Sequence, residues 1–181
     1  AAENVVAEIT GAGGKAYAFQ ADASEEGAVE GAMREAVARL GPIHGLVVSA
    51  GIFEAMPIEE MTVAFWDRVM AVNVRGTWLC CKAVAPVMRQ QRSGVIINIS
   101  SGTIFGGQTG FAHYVTSKAA VWGMARVLAR ELGEFGVRVN SITPGLTSSE
   151  MVQEIYGTDA LVLNAERRIF RREQMPDDLV G

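Results

Sequence analysis

The fold of this chain is decided by the stretch Gly94-Val-Ile-Ile-Asn-Ile-Ser-Ser101. It contains a short apolar run, which predicts a buried strand over 95–100. A helical pattern begins near Ala112, a short distance further along the chain. The two serines are therefore expected at the carboxyl end of a strand, opposite the start of a helix.

Strand and helix patterns alternate on both sides of this stretch. Repeated strand–helix–strand units indicate a parallel sheet with helices on both faces, and ligands of such sheets bind at the carboxyl ends of the strands. The predicted strands cover 16–21, 43–49, 95–100 and 137–142, and the predicted helices cover 25–40 with Ser24 as its cap, 62–91 with a disturbance at Asn73, and 112–134.

Length and composition indicate one α/β domain covering 1–181. A chain of 181 residues, 49% hydrophobic and 20% charged, can bury one sizeable core but is too short for two ordinary domains. Its formal net charge of −4 argues against a nucleic-acid partner, because phosphate contacts need clustered Lys and Arg.

Few residues of the chain suit cross-linking, metal binding or membrane insertion. Cys80 and Cys81 are adjacent, so a disulfide between them would be strained, and reduced thiols in a cytoplasmic protein are expected. The two histidines, His44 and His113, are too few and too far apart to suggest a metal site. No apolar run approaches the ~18–20 residues of a membrane span, so no membrane partner is expected.

Tyr114 and Lys118 belong to the motif Tyr114-Val-Thr-Ser-Lys118. Residues four apart share one face of a helix, so the Lys118 ammonium is expected near the Tyr114 phenol. A nearby cation favours the phenolate, and the helix N-terminus adds a smaller effect in the same direction, so the pKa of Tyr114 is expected to be lowered. General acid–base catalysis by Tyr114 then becomes feasible near neutral pH.

Ser101 and Asn73 complete the candidate catalytic group. Ser101, on the facing loop, could donate a hydrogen bond to a substrate oxygen and stabilise charge that develops there. With Tyr114 and Lys118, these groups can move a proton on and off an alcohol oxygen while a hydride leaves the adjoining carbon. The sequence therefore favours an oxidoreductase.

The surroundings of these residues resemble the short-chain dehydrogenase/reductase family over essentially the whole chain. The resemblance implies a Rossmann-like doubly wound parallel sheet, NAD or NADP as cofactor, and interconversion of a secondary alcohol and a ketone by hydride transfer. Among family members, the sequence is most similar to those of the 3-oxoacyl-carrier-protein reductase type. The matching segments are Asn73-Val-Arg-Gly76, Gly94 to Ser101, Tyr114 to Lys118, and Asn140-Ser-Ile-Thr-Pro-Gly145.

The same resemblance assigns roles to the candidate catalytic residues. It implies that Tyr114 is the general acid/base and that Lys118 holds the ribose hydroxyls and tunes Tyr114. Ser101 would orient the carbonyl, and Asn73 would hold a relay water. No metal ion is implied.

Three further segments are implied to bind the cofactor. Asp22 and Ala23 resemble the segment that contacts the adenine. Ala50 and Gly51 resemble the end of a segment that usually reads Asn-Asn-Ala-Gly. The third segment, which begins at Pro144, resembles the turn under the nicotinamide. Both asparagines of the second segment are replaced in this sequence. Besides Tyr114 and Lys118, the implied cofactor-binding residues are Asp22, Ala23, Ala50, Gly51, Pro144, Gly145 and Thr147.

Two parts of the family pattern are missing from this sequence. Family members open with a strand, a Gly-rich turn that places pyrophosphate against a helix N-terminus, and a helix. Residues 1–10 read instead as the tail of a helix that ends at Gly11, and 175–181 resembles the start of a late helix with no final strand after it. The sequence is therefore interpreted as the interior of a longer protein, a partial domain.

Two other functions remain open at this point. The first is a catalytically silent relative that acts as a nucleotide-binding or interaction protein, although the presence of all four catalytic residues counts against it. The second is a dehydratase or epimerase of the related extended branch, which the patterns at Asn73 and Pro144-Gly145 fit less well.

The expected partners are a small alcohol or ketone and further copies of the chain. Helices 63–91 and 112–134 carry more apolar residues than one buried face accounts for, and the resemblance implies a homotetramer or homodimer. A partly apolar substrate pocket is expected from the segment 146–172 and the loop before the Tyr114 helix. Its candidate residues are Phe105, Phe111, Met151, Ile155, Tyr156, Leu161 and Leu163.

Overall fold

The computed structural model describes residues 2–180 and, in that range, three strands and seven α-helices. They are β1 (Gly45–Val48), β2 (Gly94–Ile99), β3 (Val137–Ile142), α1 (Ala2–Gly11), α2 (Glu26–Leu40), α3 (Val63–Met70), α4 (Gly76–Gln91), α5 (Thr103–Gly106), α6 (Ala112–Gly133) and α7 (Glu150–Glu166). A π-helical turn, Ala71–Arg75, joins α3 to α4, and a 3-10 turn, Pro176–Leu179, follows α7.

The strands form one parallel sheet in the order β1-β2-β3. Val48 of β1 pairs with Asn98 of β2, which pairs with Ser141 of β3, so the carboxyl ends of all three strands meet along one edge. Parallel neighbours need long crossover connections, and helices provide them here. The predicted parallel α/β architecture is confirmed, and three of the four predicted strands form close to their predicted bounds.

The hydrophobic core lies between the sheet and helices α4 and α6, and α2 packs against α4. On the other face of the sheet, Val47 is 62% exposed although its neighbour Val48 is buried. Successive residues of a strand point to opposite faces, so the two faces of β1 are covered unequally. The core residues are Val48, Ile96, Val137 and Val139 of the strands and Cys81, Val84, Met88, Ala125 and Leu132 of the helices.

The predicted disturbance at Asn73 is the π-helical turn. Thr62 caps α3 by accepting a hydrogen bond from the backbone N–H of Phe65 at 3.2 Å, as the predicted start at Thr62 requires. Within Ala71–Arg75, Asn73 is buried, and its backbone carbonyl accepts a hydrogen bond from the Thr77 hydroxyl at 2.7 Å. Single π-turns inside α-helices are frequent at functional sites.

Residues 16–21 do not form the strand that the sequence predicts. A strand needs a hydrogen-bonded neighbour, and nothing between residues 2 and 180 pairs with this segment. Its aromatic rings lie instead against a cation of α2. The Arg39 guanidinium is 5.1 Å from the ring centroid of Tyr17 and 5.9 Å from that of Phe19.

Ser24 is not the cap of α2 that the sequence predicts. Helix α2 begins after Glu25, whose side chain makes no capping hydrogen bond. Ser24 instead donates to one oxygen of the Asp22 carboxylate from its backbone N–H (2.8 Å) and from its hydroxyl (2.7 Å). Because an aspartate readily accepts hydrogen bonds from the backbone two residues later, Asp22 stabilises this turn.

We expect the substitution Gly136→Ala to lower the free energy of unfolding by about 2 kcal/mol. Gly136 has a φ of 72°, and a Cβ there would lie 2.5 Å from the backbone oxygen of Arg92. Urea denaturation measures the effect. The control is Gly123→Ala within α6, where a Cβ would meet no atom within 4 Å and should stabilise the helix by about 0.5–1 kcal/mol. Equal effects of the two substitutions would contradict the prediction.

Candidate active site

The carboxyl edge of the sheet brings three loops together. Ala50 and Gly51 follow β1, Ser101 follows β2, and Pro144 follows β3. Two hydrogen bonds join the second loop to the end of β3: Ser100 N–H donates to Ile142 O and Gly102 N–H donates to Pro144 O, both at 2.8 Å. The predicted site residues at the strand ends therefore share one edge of the molecule.

Tyr114 and Lys118 lie on one face of the first two turns of α6. The Lys118 Nζ is 5.7 Å from the centroid of the Tyr114 ring, so the predicted proximity of the two side chains is confirmed. Lys118 is only 5% exposed, and its Nζ donates a hydrogen bond to the backbone oxygen of Ile99 at 2.8 Å. That bond places the ammonium at the end of β2.

The expected lowering of the pKa of Tyr114 is wrong for the ligand-free protein. Burial raises the pKa of Tyr114 above its ordinary value, and contact with the Ser101 hydroxyl only partly counteracts the rise. Burial also lowers the pKa of Lys118 to about 8. Both shifts have the same cause, since a low-dielectric environment disfavours whichever form of a group is charged. With a pKa of about 8, Lys118 is mostly neutral at the higher pH where Tyr114 ionises, so it offers little charge to stabilise the phenolate.

Ser101 accepts two hydrogen bonds from one neighbouring residue. The backbone N–H of Thr103 donates to Ser101 Oγ at 3.3 Å, and the Thr103 hydroxyl donates to the same atom at 3.0 Å. Ser100 has a different role, because its hydroxyl donates to the backbone oxygen of Lys118 at 2.7 Å. Ser100 thus ties β2 to α6, while the Ser101 hydroxyl lies beside the phenol of Tyr114.

The Asn73 side chain links the loop after β1 to α6. Its Oδ1 accepts from Ile52 N–H at 2.8 Å, and its Nδ2 donates to Ile52 O at 3.0 Å and to Ser117 Oγ at 2.9 Å. The Ser117 hydroxyl donates in turn to the backbone oxygen of Tyr114 at 2.7 Å. The structure therefore places Asn73 with the other candidate catalytic residues, with both its amide donor and its acceptor already bonded to protein.

Gly51 allows the loop after β1 to approach this group closely. A Cβ at position 51 would lie 3.3 Å from Asn73 Oδ1 and 3.4 Å from Lys118 Nζ. Contacts this short would force the amide or the ammonium to move. The absence of a side chain thus lets the backbone after β1 pack directly against Asn73 and Lys118.

Asp22 and Ala23 lie against the start of α4. The backbone oxygen of Ala23 faces Gly76, and the Arg75 guanidinium donates to the backbone oxygen of Ser24 at 3.2 Å. Hydrogen bonds from Ser24 lower the pKa of Asp22. This carboxylate is exposed and ionised near neutral pH, and it lies four residues before the start of α2 at Glu26.

The segment after β3 is tied to the segment after α7. Thr147 pairs with Gln174, and the Arg168 guanidinium donates to the backbone oxygen of Leu146 at 2.7 Å. Thr147 also donates from its hydroxyl to the backbone oxygen of Gly145 at 3.3 Å. These bonds fix the backbone that follows Pro144.

Aromatic rings surround the Tyr114 phenol. The ring centroid of Phe53 lies 5.4 Å from that of Tyr114 and the centroid of Phe111 lies 6.2 Å from it. Burial, and then the neighbouring Tyr114, raise the pKa of Tyr156. Of the other predicted pocket residues, Leu161 is buried and Phe105 and Leu163 are exposed, while the side chains of Met151 and Ile155 lie outside the described residues.

Sequence reasoning missed Ser117, Thr103 and Phe53. Ser117 carries a detectable signal, because it lies three residues after Tyr114 on the same buried face of α6. Thr103 and Phe53 carry no such signal, since their positions depend on the paths of loops.

Residues 2–180 include no helix long and apolar enough to cross a membrane, and no group of three or more His, Cys, Asp or Glu side chains that could hold a metal.

Known proteins share this sequence and fold. Residues 1–160 match the short chain dehydrogenase family. The 3-oxoacyl-(acyl-carrier-protein) reductase FabG of Staphylococcus epidermidis is 37% identical over 154 residues, which cover 85% of this chain and 63% of the reductase. The probable galactose dehydrogenase GalD of Rhizobium meliloti is 36% identical over 164 residues, which cover 90% of this chain and 64% of that protein.

A solved structure agrees with these relatives. A 7α-hydroxysteroid dehydrogenase complexed with NADH and 7-oxo glycochenodeoxycholic acid matches 98% of this chain and 69% of its own, with a TM-score of 0.91 at 30% identity. The fold and the site thus define a Rossmann-like α/β protein. This chain belongs to the short chain dehydrogenase family, and it spans 63% of the length of the first curated relatives that it matches.

We expect the stabilising effect of Lys118 to grow with pH in the ligand-free protein. Burial lowers the pKa of Lys118 from its ordinary value of 10.5 to about 8, so between these pH values the unfolded chain binds more protons than the folded one. The difference in unfolding free energy between the wild type and Lys118→Met should therefore rise from pH ~8 to ~10, by up to about 3 kcal/mol. Urea denaturation at several pH values measures it, with Lys15→Met on the surface as control. A flat difference would contradict burial of the amine.

Proposed function

We propose that this protein is an NAD(P)-dependent oxidoreductase that interconverts a secondary alcohol and a ketone. The observation that carries the proposal is the grouping of Ser101, Tyr114 and Lys118 at the carboxyl edge of the parallel sheet. A phenol, a second hydroxyl and an amine around one point can transfer a proton to a carbonyl oxygen and stabilise the charge on it. The bound nicotinamide supplies or accepts the hydride.

Tyr114 is proposed as the general acid in the direction of carbonyl reduction. Burial raises the pKa of Tyr114, so the phenol keeps its proton near neutral pH and can give it to the developing alkoxide. Ser101 would donate a hydrogen bond to the same substrate oxygen. The Lys118 ammonium lies 5.7 Å from the centroid of the Tyr114 ring and would help to return a proton to the phenol after each turnover. Asn73 is proposed to hold a relay water beside Lys118 through the second lone pair of its Oδ1, which accepts only one hydrogen bond from the protein.

Three observations support binding of NAD or NADP at the carboxyl edge of the sheet. Gly51 is exposed and its backbone packs beside Lys118 Nζ, so ribose hydroxyls that contact this glycine would lie near the amine. The carboxylate of Asp22 is exposed and could accept a hydrogen bond from an adenine amine. The segment from Pro144 to Thr147 is held by a hydrogen bond from Arg168 and by the pairing of Thr147 with Gln174, and its backbone could support a nicotinamide. Ala23, Ala50 and Gly145 would line the same path.

The proposed substrate is a small ketone or alcohol with an apolar body. Phe53 and Phe111 form aromatic walls around Tyr114, and such walls favour apolar surfaces over strongly hydrated ones. The relatives named above are described as acting on 3-oxoacyl chains, a sugar and a steroid, so a carbonyl group flanked by a larger body is common to them. We place the protein in the cytoplasm and treat residues 1–181 as one partial dinucleotide-binding domain.

We expect Tyr114→Phe to lower the rate of carbonyl reduction by roughly 10²–10⁴-fold, because the substitution removes the proton donor. The fold should persist, since the ring keeps its contacts with Phe53 and Phe111. The measurement is oxidation of NADH or NADPH by a panel of ketones, with circular dichroism as a check on folding. Tyr17→Phe, at a tyrosine outside the site, is the matched control.

Two outcomes would count against the proposal. Wild-type rates in Tyr114→Phe would remove this tyrosine from the chemistry. Tight binding of NADH or NADPH without turnover of any ketone would favour the catalytically silent alternative, and titration of the nucleotide by fluorescence distinguishes that case from a protein that binds no nucleotide.

We also propose a homodimer or homotetramer that pairs α4 and α6 with their copies. Trp78 is 45% exposed, Trp122 39% and Val127 56%, so these helices present apolar surface to solvent in the single chain.

Light scattering at micromolar concentration should give a multiple of the chain mass. Val127→Glu should reduce that mass, because it would bury a charge in the interface. The control Val5→Glu changes an equally exposed valine of α1 and should have no effect. A monomeric wild type would refute the assembly.

A further inference from the structure

Thr103 holds the Ser101 hydroxyl with two donors. Its backbone N–H and its side-chain hydroxyl both reach Ser101 Oγ, at 3.3 Å and 3.0 Å. Thr103 is the first residue of α5, and Phe105 through Thr109 further along the same loop are exposed. Ser101, in contrast, is only 8% exposed. Water therefore has little access to the serine, and Thr103 dominates the hydrogen bonding of its oxygen.

The hydrogen-bond capacity of a hydroxyl shows what this arrangement does. A serine hydroxyl has one proton to donate and two lone pairs that can accept. The backbone N–H of Thr103 can only donate, and with the Thr103 hydroxyl as second donor both lone pairs of Ser101 are occupied. The proton of Ser101 is left for the remaining direction. The neighbour there is the phenol of Tyr114.

We propose that Thr103 is a positioning residue, which fixes Ser101 as a hydrogen-bond donor toward the oxygen of the substrate carbonyl. The proposal rests on the oxidoreductase function proposed above. Accepting two hydrogen bonds also polarises the O–H bond of Ser101 and makes it a stronger donor. Without the Thr103 hydroxyl, the serine could rotate and point its proton toward its own loop.

A structural role in the loop is the competing explanation, because a threonine hydroxyl can stabilise the turn at a helix start. The two roles differ in what they affect. A positioning residue acts only through Ser101, whereas a loop stabiliser changes the protein even when Ser101 is absent. The rate of Thr103→Val alone cannot separate the two roles, so the same substitution must also be tested in a variant that lacks the Ser101 hydroxyl.

The variants are Thr103→Val, Thr103→Ser and, as matched control, Thr109→Val, at an exposed threonine of the same loop. We expect Thr103→Val to lower kcat for ketone reduction roughly tenfold with little change in the KM for the nucleotide, as the loss of one hydrogen bond to a reacting group would. Thr103→Ser keeps the hydroxyl and should recover most of the rate. Thr109→Val should match the wild type.

A double-mutant cycle with Ser101→Ala then decides between the two roles. If Thr103 acts through Ser101, Thr103→Val causes no further loss once Ser101 is alanine. The same tenfold loss in that background would overturn the proposal in favour of a loop role. Wild-type kcat in Thr103→Val itself would overturn it as well.

A second readout does not depend on turnover. Ultraviolet difference absorbance, with Tyr114→Phe as reference, follows the ionisation of Tyr114 in the ligand-free protein. Thr103→Val should raise the pKa of Tyr114 relative to the wild type, because Ser101 no longer holds its proton toward the phenol; an unchanged titration would overturn the proposal. If the wild type reduces no ketone, the proposed function fails, and this titration still decides whether Thr103 orients Ser101.

Discussion

The burial of one amide, that of Asn73, is the interaction on which the site depends. Its side chain bonds both backbone groups of Ile52 and the hydroxyl of Ser117, which bonds the backbone of Tyr114. A buried amide without partners would cost a few kcal/mol, so these partners must be present together. The π-turn is the local deformation that brings Asn73 to them. One side chain thus connects the loop after β1, the α3–α4 segment and helix α6, which carries Tyr114 and Lys118.

The features that the sequence predicted are those that depend on local pattern. The strand over 137–142 and the helix from Ala112 follow from periodicity and were confirmed almost to the residue. The proximity of Tyr114 and Lys118 follows from the helical repeat alone. Parallel pairing follows from alternation of strands and helices, and it brings Ser101 and Pro144 to one edge of the sheet.

The features that the sequence did not predict depend on depth and on distant partners. Residues 16–21 have the composition of a strand, but strand geometry needs a neighbour that no local pattern reveals. The predicted direction of the Tyr114 pKa shift was wrong. The spacing of the two residues shows that Lys118 is near, but it says nothing about burial, which has the larger effect on this pKa. Ser117 could have been found from its helix face. Thr103 could not, because its contact with Ser101 depends on the path of a turn.

The link between Arg168 and Leu146, together with the pairing of Thr147 and Gln174, has a mechanical consequence. It closes the chain between residues 146 and 174 into a loop whose two ends are fastened to each other. Moving the part of α7 that follows its kink at Gly157 away from Tyr114 would pull on the backbone beside Pro144. Under the proposed function, contacts that a substrate makes with α7 would therefore be coupled mechanically to the contacts of a nicotinamide with the Pro144 turn.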